Sequence, residues 1–178
     1  MKKVLHIFGL IIFCFLLFTS CDCDDDTDEL KATAIIVSKN DSGLVGNVVF
    51  SETDGIVTMV ANVFYDGSGH KAIHIHEKGD CSAADGTSAG GHWNPTNVSH
   101  GAWGSDSFHI GDIGNIVVSR NGHGSIERKT DLWCIGCDDE TKNILGKAII
   151  IHEGPDDFSS QPSGAAGPRI GCGEILKN

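Results

Sequence analysis

The chain has 178 residues, which corresponds to one ordinary domain with room for a short additional segment. Its 24 acidic and 13 basic side chains give a formal net charge of −11, and this excess of acid excludes a basic surface for nucleic acid. The unusual counts are 9 histidines and 7 cysteines, which favour a metal-binding interpretation.

The first predicted element is an export signal over residues 1–20. Two lysines precede an apolar segment at 4–18, which is shorter than the about 20 residues that a transmembrane helix needs. The sequence Thr19-Ser20-Cys21 then resembles the lipobox of bacterial lipoproteins, which predicts a lipid on Cys21. Ordinary signal cleavage, giving a soluble secreted protein, is the alternative. We therefore predict an exported lipoprotein, anchored in a membrane and facing the periplasm or the cell surface.

An acidic segment follows the signal at residues 21–31. Six of its side chains are carboxylates, and a run of like charge is solvated and lacks a packed structure. It is similar to the acidic surface-export signals of some Gram-negative lipoproteins. We interpret it as a tether between the anchor and a folded domain at 32–178.

The cysteines divide according to this organisation. Cys14 leaves with the signal and Cys21 takes the lipid, while five others remain in a compartment where disulfides persist. Because five is an odd number, at least one thiol stays unpaired, and Cys23 in the tether is the natural candidate.

The predicted domain consists of strands. Turn sequences such as Asn40-Asp41-Ser42-Gly43 and Asp54-Gly55 separate short runs rich in β-branched residues. The runs lie at residues 34–37, 45–50, 56–64, 113–118 and 144–151. This pattern predicts an all-β fold, either a sandwich or a barrel.

Two long segments, 77–112 and 153–171, lack the strand pattern. Loops beyond about 12–15 residues in a compact domain are usually functional or disordered. These two contain or adjoin most of the histidines, so a metal together with a disulfide would organise them.

The histidines predict a metal centre. His74 and His76 alternate with Ile75, which places both rings on one face of a strand. The other candidate ligands are His92, His100, His109, Asp112 and His152. Six imidazoles exceed one tetrahedral zinc site, so either two metals bind or one metal binds with histidines to spare. Four imidazoles without a thiolate suit Cu(II), and three with an aspartate suit zinc. For any single histidine, the alternative is a polar surface residue near a turn that binds no metal.

Five segments in this order resemble the copper-zinc superoxide dismutase family. They are Ala72–Cys81, Ser88–Pro95, His109–Asn115, Ile151–Glu153 and Gly167–Gly173. The resemblance extends from about residue 45 to the C-terminus. It implies a Greek-key β-sandwich, or flattened eight-stranded barrel, with two long loops that form the metal site.

The resemblance also implies a role for each site residue. The implied copper ligands are His74, His76, His92 and His152. The implied zinc ligands are His92, His100, His109 and Asp112. His92 would bridge the two metals, Asp156 would orient a histidine on each side, and Arg169 would attract and position the anion. A disulfide would join Cys81 to Cys172.

The implied activity is dismutation of superoxide to oxygen and hydrogen peroxide by a redox-cycling copper, with Arg169 and His92 as catalytic residues. The implied cofactors are copper and zinc. The implied partners are the superoxide anion and a membrane contacted through the lipid. Nucleic acid is not among them, and a homodimer is left open because dimer contacts differ within the family.

Two features depart from the family pattern. Cys134 and Cys137 form a C-x-x-C that could be a local disulfide, a metal clip or a redox pair, of which we predict the disulfide. Residues 153–168 contain no Lys or Arg, although an acidic protein needs a local positive funnel for an anion. Lys71 and Lys78 are the candidates to supply it beside Arg169.

Three other functions compete with this interpretation. A non-catalytic lipoprotein that binds or delivers copper would be expected to lack a zinc ligand, the bridging histidine or the arginine. A zinc hydrolase with an H-x-H-x-D motif would need aspartate where Lys78 stands. A structural adhesion domain would leave the spacing of the histidines unexplained.

Overall fold

The computed structural model describes residues 29–178, and the predicted signal, the lipid-bearing Cys21 and Cys23 lie outside that range. Within it the chain forms eight strands and one short 3-10 helix, Thr87–Ala89. The strands are β1 (Leu30–Ser38), β2 (Val45–Thr53), β3 (Ile56–Phe64), β4 (Gly69–His76), β5 (Asp112–Val118), β6 (His123–Thr130), β7 (Ala148–His152) and β8 (Arg169–Lys177). No helix in these residues is long and apolar enough to span a membrane.

The strands close into an antiparallel barrel in the order β1-β2-β3-β6-β5-β4-β7-β8. In this order β4, β5 and β6 are sequential neighbours and β7 returns to lie beside β4, which is a Greek-key arrangement. The predicted all-β, eight-stranded barrel is therefore confirmed. The strand pairing that positions the site is that of β4 with both β5 and β7.

Alternation of side chains builds the barrel core. In β3, Val57, Met59, Ala61 and Val63 are fully buried, and the residues between them are partly exposed. The β2–β3 hairpin turns at Asp54-Gly55, where both residues have positive φ (53° and 72°), as a tight two-residue hairpin requires. Apolar residues of β1, β2, β4, β5, β7 and β8 belong to the same core.

Several predicted boundaries differ from those observed. No apolar run predicts β6, because its sequence HGSIERKT places only Gly124 and Thr130 in buried positions. The run at 144–151 forms a strand only from Ala148, since Gly146 has φ 71° and Lys147 N–H donates back to the Ile144 carbonyl (3.3 Å). β1 begins at Leu30, inside the predicted tether, where it pairs with Glu52.

The two long connections cover one side of the barrel. Residues Lys71–His76 of β4 and all of β7 are buried, because the inner side chains enter the core while 77–111 and 153–168 cover the outer face. Ala89, which lies in 77–111, packs on this outer face against Ala148, Ile150 and Cys172. We call 77–111 the long loop and 153–168 the second loop.

Candidate metal centre

The backbone of Ile75 fixes the long loop on β4. Ile75 N–H donates to the Gly111 carbonyl (2.8 Å), and the Ile75 carbonyl accepts from Trp93 N–H (2.8 Å). These bonds place His92 and Asp112, the neighbours of Trp93 and Gly111, beside the outward-facing rings of β4. A Cβ on Gly111 would lie 2.4 Å from the Ile75 carbonyl oxygen, so this close approach requires glycine.

The first cluster combines rings from two strands and the long loop. Its members are His74, His76, His92 and His152, whose ligand-type atoms all lie within 4.8 Å of one another. In three of them one ring nitrogen already has an acceptor: Asp156 Oδ2 for His74 Nε2, the Gly90 carbonyl for His76 Nδ1 and the Gly167 carbonyl for His152 Nδ1. These bonds, of 2.9–3.0 Å, fix which nitrogen each ring leaves free.

The second cluster shares His92 with the first. Its members are His92, His100, His109 and Asp112, again within 4.8 Å of one another. Asp112 lies at the start of β5, and its Oδ2 accepts from the backbone N–H of His109 (2.7 Å). The same carboxylate lies 2.9 Å from His100 Nδ1 and 3.2 Å from His109 Nδ1 without hydrogen-bond geometry.

His92 connects the two clusters through its two nitrogens. Its Nδ1 lies 2.8 Å from Asp112 Oδ1, and its Nε2 has no hydrogen-bond partner among the residues that the structure describes. Nε2 is therefore the nitrogen available to the first cluster. The ring of His92 stacks 3.9 Å from that of His74, centroid to centroid.

Six imidazole nitrogens in the clusters are buried without a hydrogen-bond partner in the described part of the chain. They are His74 Nδ1, His76 Nε2, His92 Nε2, His100 Nδ1, His109 Nδ1 and His152 Nε2. Buried polar atoms without partners are rare because each costs free energy. Two metal ions would satisfy all six. The donors fit copper at the first cluster, which has only imidazoles, and zinc at the second, which has three imidazoles and a carboxylate.

The pKa values of the cluster residues favour metal binding. Burial, reinforced by neighbouring rings, lowers the pKa of His74 to about 4 and that of His152 to about 3. Burial would raise the pKa of Asp112, but hydrogen bonds from His92 and the His109 backbone bring it to about 2. At neutral pH these histidines are neutral and Asp112 is ionised, which are the forms that ligate metals.

Asp156 of the second loop lies between the two clusters. Its Oδ2 contacts His74 Nε2 and its Oδ1 contacts His100 Nε2, both at 2.9 Å. Asn115 of β5 binds the backbone of Asp156 by two hydrogen bonds. Asn115 Nδ2 donates to the Asp156 carbonyl (3.0 Å), and Asn115 Oδ1 accepts from the Asp156 N–H (2.7 Å). The sequence pattern did not single out Asn115, since a lone polar residue on a strand gives no signal.

Arg169 lies at the start of β8, paired with His152 across the sheet. Its Nη1 and Nη2 donate to the carbonyls of Gly86 and Gly90, each at 2.6 Å. The Gly90 carbonyl therefore accepts from both Arg169 and His76. Gly90 has φ 76°, and a Cβ there would lie 2.3 Å from Glu77 Oε1.

A cleft opens beside the first cluster, and Arg169 is the only Lys or Arg among the described residues that line it. Its other polar lining residues away from the histidines are neutral: Asn94, Asn97, Ser99, Gln161 and Ser163. Lys71, one of the other candidates to attract the anion, does not line this cleft. Lys71 is buried, and its Nζ donates to the carbonyl (2.6 Å) and carboxylate (3.0 Å) of Glu153. Lys78 is exposed on the long loop.

Two disulfides form among residues 29–178. Cys81–Cys172 spans 91 positions of sequence and joins the long loop to β8, while Cys134–Cys137 closes a turn between β6 and β7. Next to that turn, buried Trp133 donates its Nε1–H to the Ile110 carbonyl (2.9 Å), one residue after His109. The sequence around Trp133 did not predict this hydrogen bond, which holds the backbone next to His109 of the second cluster.

Comparisons with known proteins agree with the geometry. A family model described as copper/zinc superoxide dismutase matches residues 44–175. A Cu-Zn superoxide dismutase of Talaromyces marneffei is 35% identical over 153 residues, covering 80% of this chain and 96% of the relative. Cu-Zn superoxide dismutase 2 of Aquifex aeolicus is 33% identical over 154 residues, covering 84% and 88%.

Two further matches extend the likeness. An extracellular Cu-Zn superoxide dismutase of Caenorhabditis elegans is 32% identical over 164 residues, covering 86% of this chain and 72% of the relative. The crystal structure of the clock protein EA4 superposes with a TM-score of 0.72 at 31% identity, covering 82% of this chain and 93% of that one. With these relatives and a family model that spans most of its length, the chain belongs to the copper/zinc superoxide dismutase family.

Proposed function

We propose that this protein is a superoxide dismutase that converts two superoxide anions and two protons into one O₂ and one H₂O₂. Its cofactors are copper and zinc. The observation that carries the proposal is the pair of clusters that share His92, each offering unpartnered buried nitrogens. We assign copper to the cluster of four imidazoles and zinc to the cluster that contains Asp112.

When bound, copper supplies the one-electron redox change and zinc supplies a fixed positive charge. The residues of the chain then bind the substrate and move the proton. Arg169 attracts the anion into the cleft, since it carries the only Lys or Arg charge among the described lining residues. We place the transferred proton on His92 Nε2, which gains it as the first superoxide is oxidised to O₂. His92 releases that proton, and solvent water supplies the second proton, as the second superoxide is reduced to H₂O₂.

The test measures metal content and dismutation together in the purified protein. We expect one copper and one zinc per chain with rapid turnover. The substitution His92→Gln should lower the rate at least about 100-fold, the usual minimum for losing a general acid–base group. His70→Gln is the matched control, because His70 is exposed on β4 outside both clusters and should leave the rate unchanged.

Other outcomes would contradict this function. Both metals bound without turnover would favour the non-catalytic copper-binding or copper-delivery protein. Absence of copper from a protein purified with copper supplied would contradict the site itself. Full activity in His92→Gln would contradict the assigned proton position.

We also propose that the protein is exported and held at a membrane through a lipid on Cys21. The signal pattern at 1–20 supports this proposal, and the similarity to an extracellular relative supports export alone. Mass spectrometry of the mature N-terminus tests it: a lipid-modified Cys21 is expected, and an unmodified terminus in the soluble fraction would contradict it.

A homodimer is a further proposal. Apolar side chains of Ile35, Val37, Val49 and Leu176 are exposed on the outer face of adjacent strands β1, β2 and β8. Covering such a face would remove apolar area from water. Sedimentation analysis should give twice the mass of one chain, and Ile35→Glu should return the monomer.

A further inference from the structure

Gln161 of the second loop makes a reciprocal pair of hydrogen bonds with the backbone of His100. Its Nε2 donates to the His100 carbonyl (2.9 Å), and its Oε1 accepts from the His100 N–H (2.9 Å). The two residues are 61 positions apart, in different loops. We propose that Gln161 is a positioning residue that holds His100 in the geometry needed to bind zinc. The proposal rests on the assignment of zinc to the second cluster.

The chemistry of the amide explains why glutamine suits this position. A primary amide carries one donor and one acceptor side by side, so it complements the N–H and C=O of a single residue. Glutamate would offer two acceptors and place one against the His100 carbonyl, and leucine would offer neither. A weaker contact of 3.4 Å from Nε2 to the Ser159 carbonyl lies within the second loop itself.

The second loop therefore holds His100 at two places. Asp156 binds the ring through Nε2, and Gln161, five positions later, binds the backbone. With both held, Nδ1 faces the second cluster, where it has no hydrogen-bond partner among residues 29–178.

Gln161 also lines the cleft that leads to the first cluster. A displacement of the second loop at the cleft would consequently move a ligand of the other metal. Gln161 thus connects the wall of this cleft to a residue of the second cluster, and it is not itself a member of either cluster.

The experiment compares Gln161→Leu and Gln161→Glu with Ser163→Ala. Ser163 lines the same cleft from the same loop, and within the described structure its side chain makes no hydrogen bond to His100. The first readout is the affinity for Zn²⁺, measured by competition with a chromophoric chelator. The second is the visible absorption spectrum of the protein with Co²⁺ in place of zinc. Thermal unfolding of each metal-free variant checks the fold.

We expect Gln161→Leu to weaken Zn²⁺ binding about tenfold, the lower end of what loss of a partner behind a metal ligand costs. Its Co²⁺ bands should shift, because His100 is less firmly oriented. Gln161→Glu, which keeps the bond to the His100 N–H, should retain more affinity than Gln161→Leu. Ser163→Ala should match the wild type in both readouts.

Two results would overturn the inference. One is a Gln161→Leu protein whose Zn²⁺ affinity and Co²⁺ spectrum equal those of Ser163→Ala. The other is lowered thermal stability with both metal readouts unchanged, which would make Gln161 a structural residue only. If wild-type protein bound neither Zn²⁺ nor Co²⁺, the proposed function would fail as well, so the two failures are distinguishable.

Discussion

The two sides of this barrel are built differently outside the shared core. On β1 and β2 the outer face meets solvent directly, and Ile35 and Val49 are exposed there. On β4 and β7 the outer face is buried under two loops whose buried hydrophobic residues are few: Ala89, Trp93 and Ala166. The barrel is therefore held by apolar burial, whereas the loops depend on hydrogen bonds, a disulfide and the ligand clusters.

The largest expected effect comes from removing the disulfide that ties the long loop to the barrel. Replacing Cys81 and Cys172 with serine should lower the free energy of unfolding by about 4–5 kcal/mol, because the bond closes a long segment of chain. Denaturant titration measures this value. The disulfide between Cys134 and Cys137 closes only a short turn. Replacing these two cysteines with serine should therefore lower the free energy of unfolding by at most about 2 kcal/mol. Equal losses for the two pairs would contradict the comparison.

The next effect is the pH dependence of the metal-free protein. Burial lowers the pKa of His74 to about 4 and that of His152 to about 3, against about 6.5 in the unfolded chain. Between pH 4 and 6.5 the unfolded state consequently binds more protons, so stability rises with pH and falls on acidification. Each histidine contributes up to about 1.4 kcal/mol per pH unit. Denaturant unfolding at several pH values measures the slope.

Variants distinguish the source of that slope. His152→Gln should flatten it, because one buried titrating ring is lost. His70→Gln should leave it unchanged, since His70 is exposed. A slope that does not respond to His152→Gln would show that other groups control the acid sensitivity.

Loss of the Asp156 carboxylate should affect the loops and spare the barrel. Asp156→Asn replaces an acceptor that contacts both His74 and His100 with a group that can accept from only one. We expect Zn²⁺ affinity to fall 10–100-fold by chelator competition, as is typical for such partners. Asp157→Asn is the control, because the Asp157 carboxylate binds Ser160 instead. Similar losses in both variants would argue against the connecting role.

The smallest expected effect concerns substrate attraction. Arg169→Gln should lower the dismutation rate about tenfold at low ionic strength and weaken its salt dependence, because the charge in the cleft is removed. Arg169→Lys should recover part of the rate. Lys78→Gln removes an exposed charge from the long loop and should change the rate little. Pulse radiolysis over a range of salt concentrations measures these rates. A larger loss of rate in Lys78→Gln than in Arg169→Gln would show that Lys78 attracts the anion.

The barrel and the ligand types could be predicted from sequence because each leaves a local pattern. A run rich in β-branched residues predicts β3, and the spacing of His74 and His76 places two rings on one face. β6 escaped prediction because most of its side chains are polar and point outward. The ion pair between Lys71 and Glu153 was not predicted, because the two residues are 82 positions apart in sequence.

The supporting contacts of the site could not be predicted for the same reason. Asn115, Trp133 and Gln161 each act through a backbone group that is distant in sequence, and a single amide or indole carries no pattern that names its partner. Only the folded chain shows that these residues support Asp156 and the second cluster.

The shared acceptor at Gly90 has a consequence for how the cleft tolerates motion. One carbonyl oxygen receives both the His76 ring and the Arg169 guanidinium. If the long loop shifts at this peptide, a ligand of the first cluster and the anion-attracting group shift together. Because both bonds end on one oxygen atom, the spacing between the His76 ring and the Arg169 guanidinium is maintained when the loop moves.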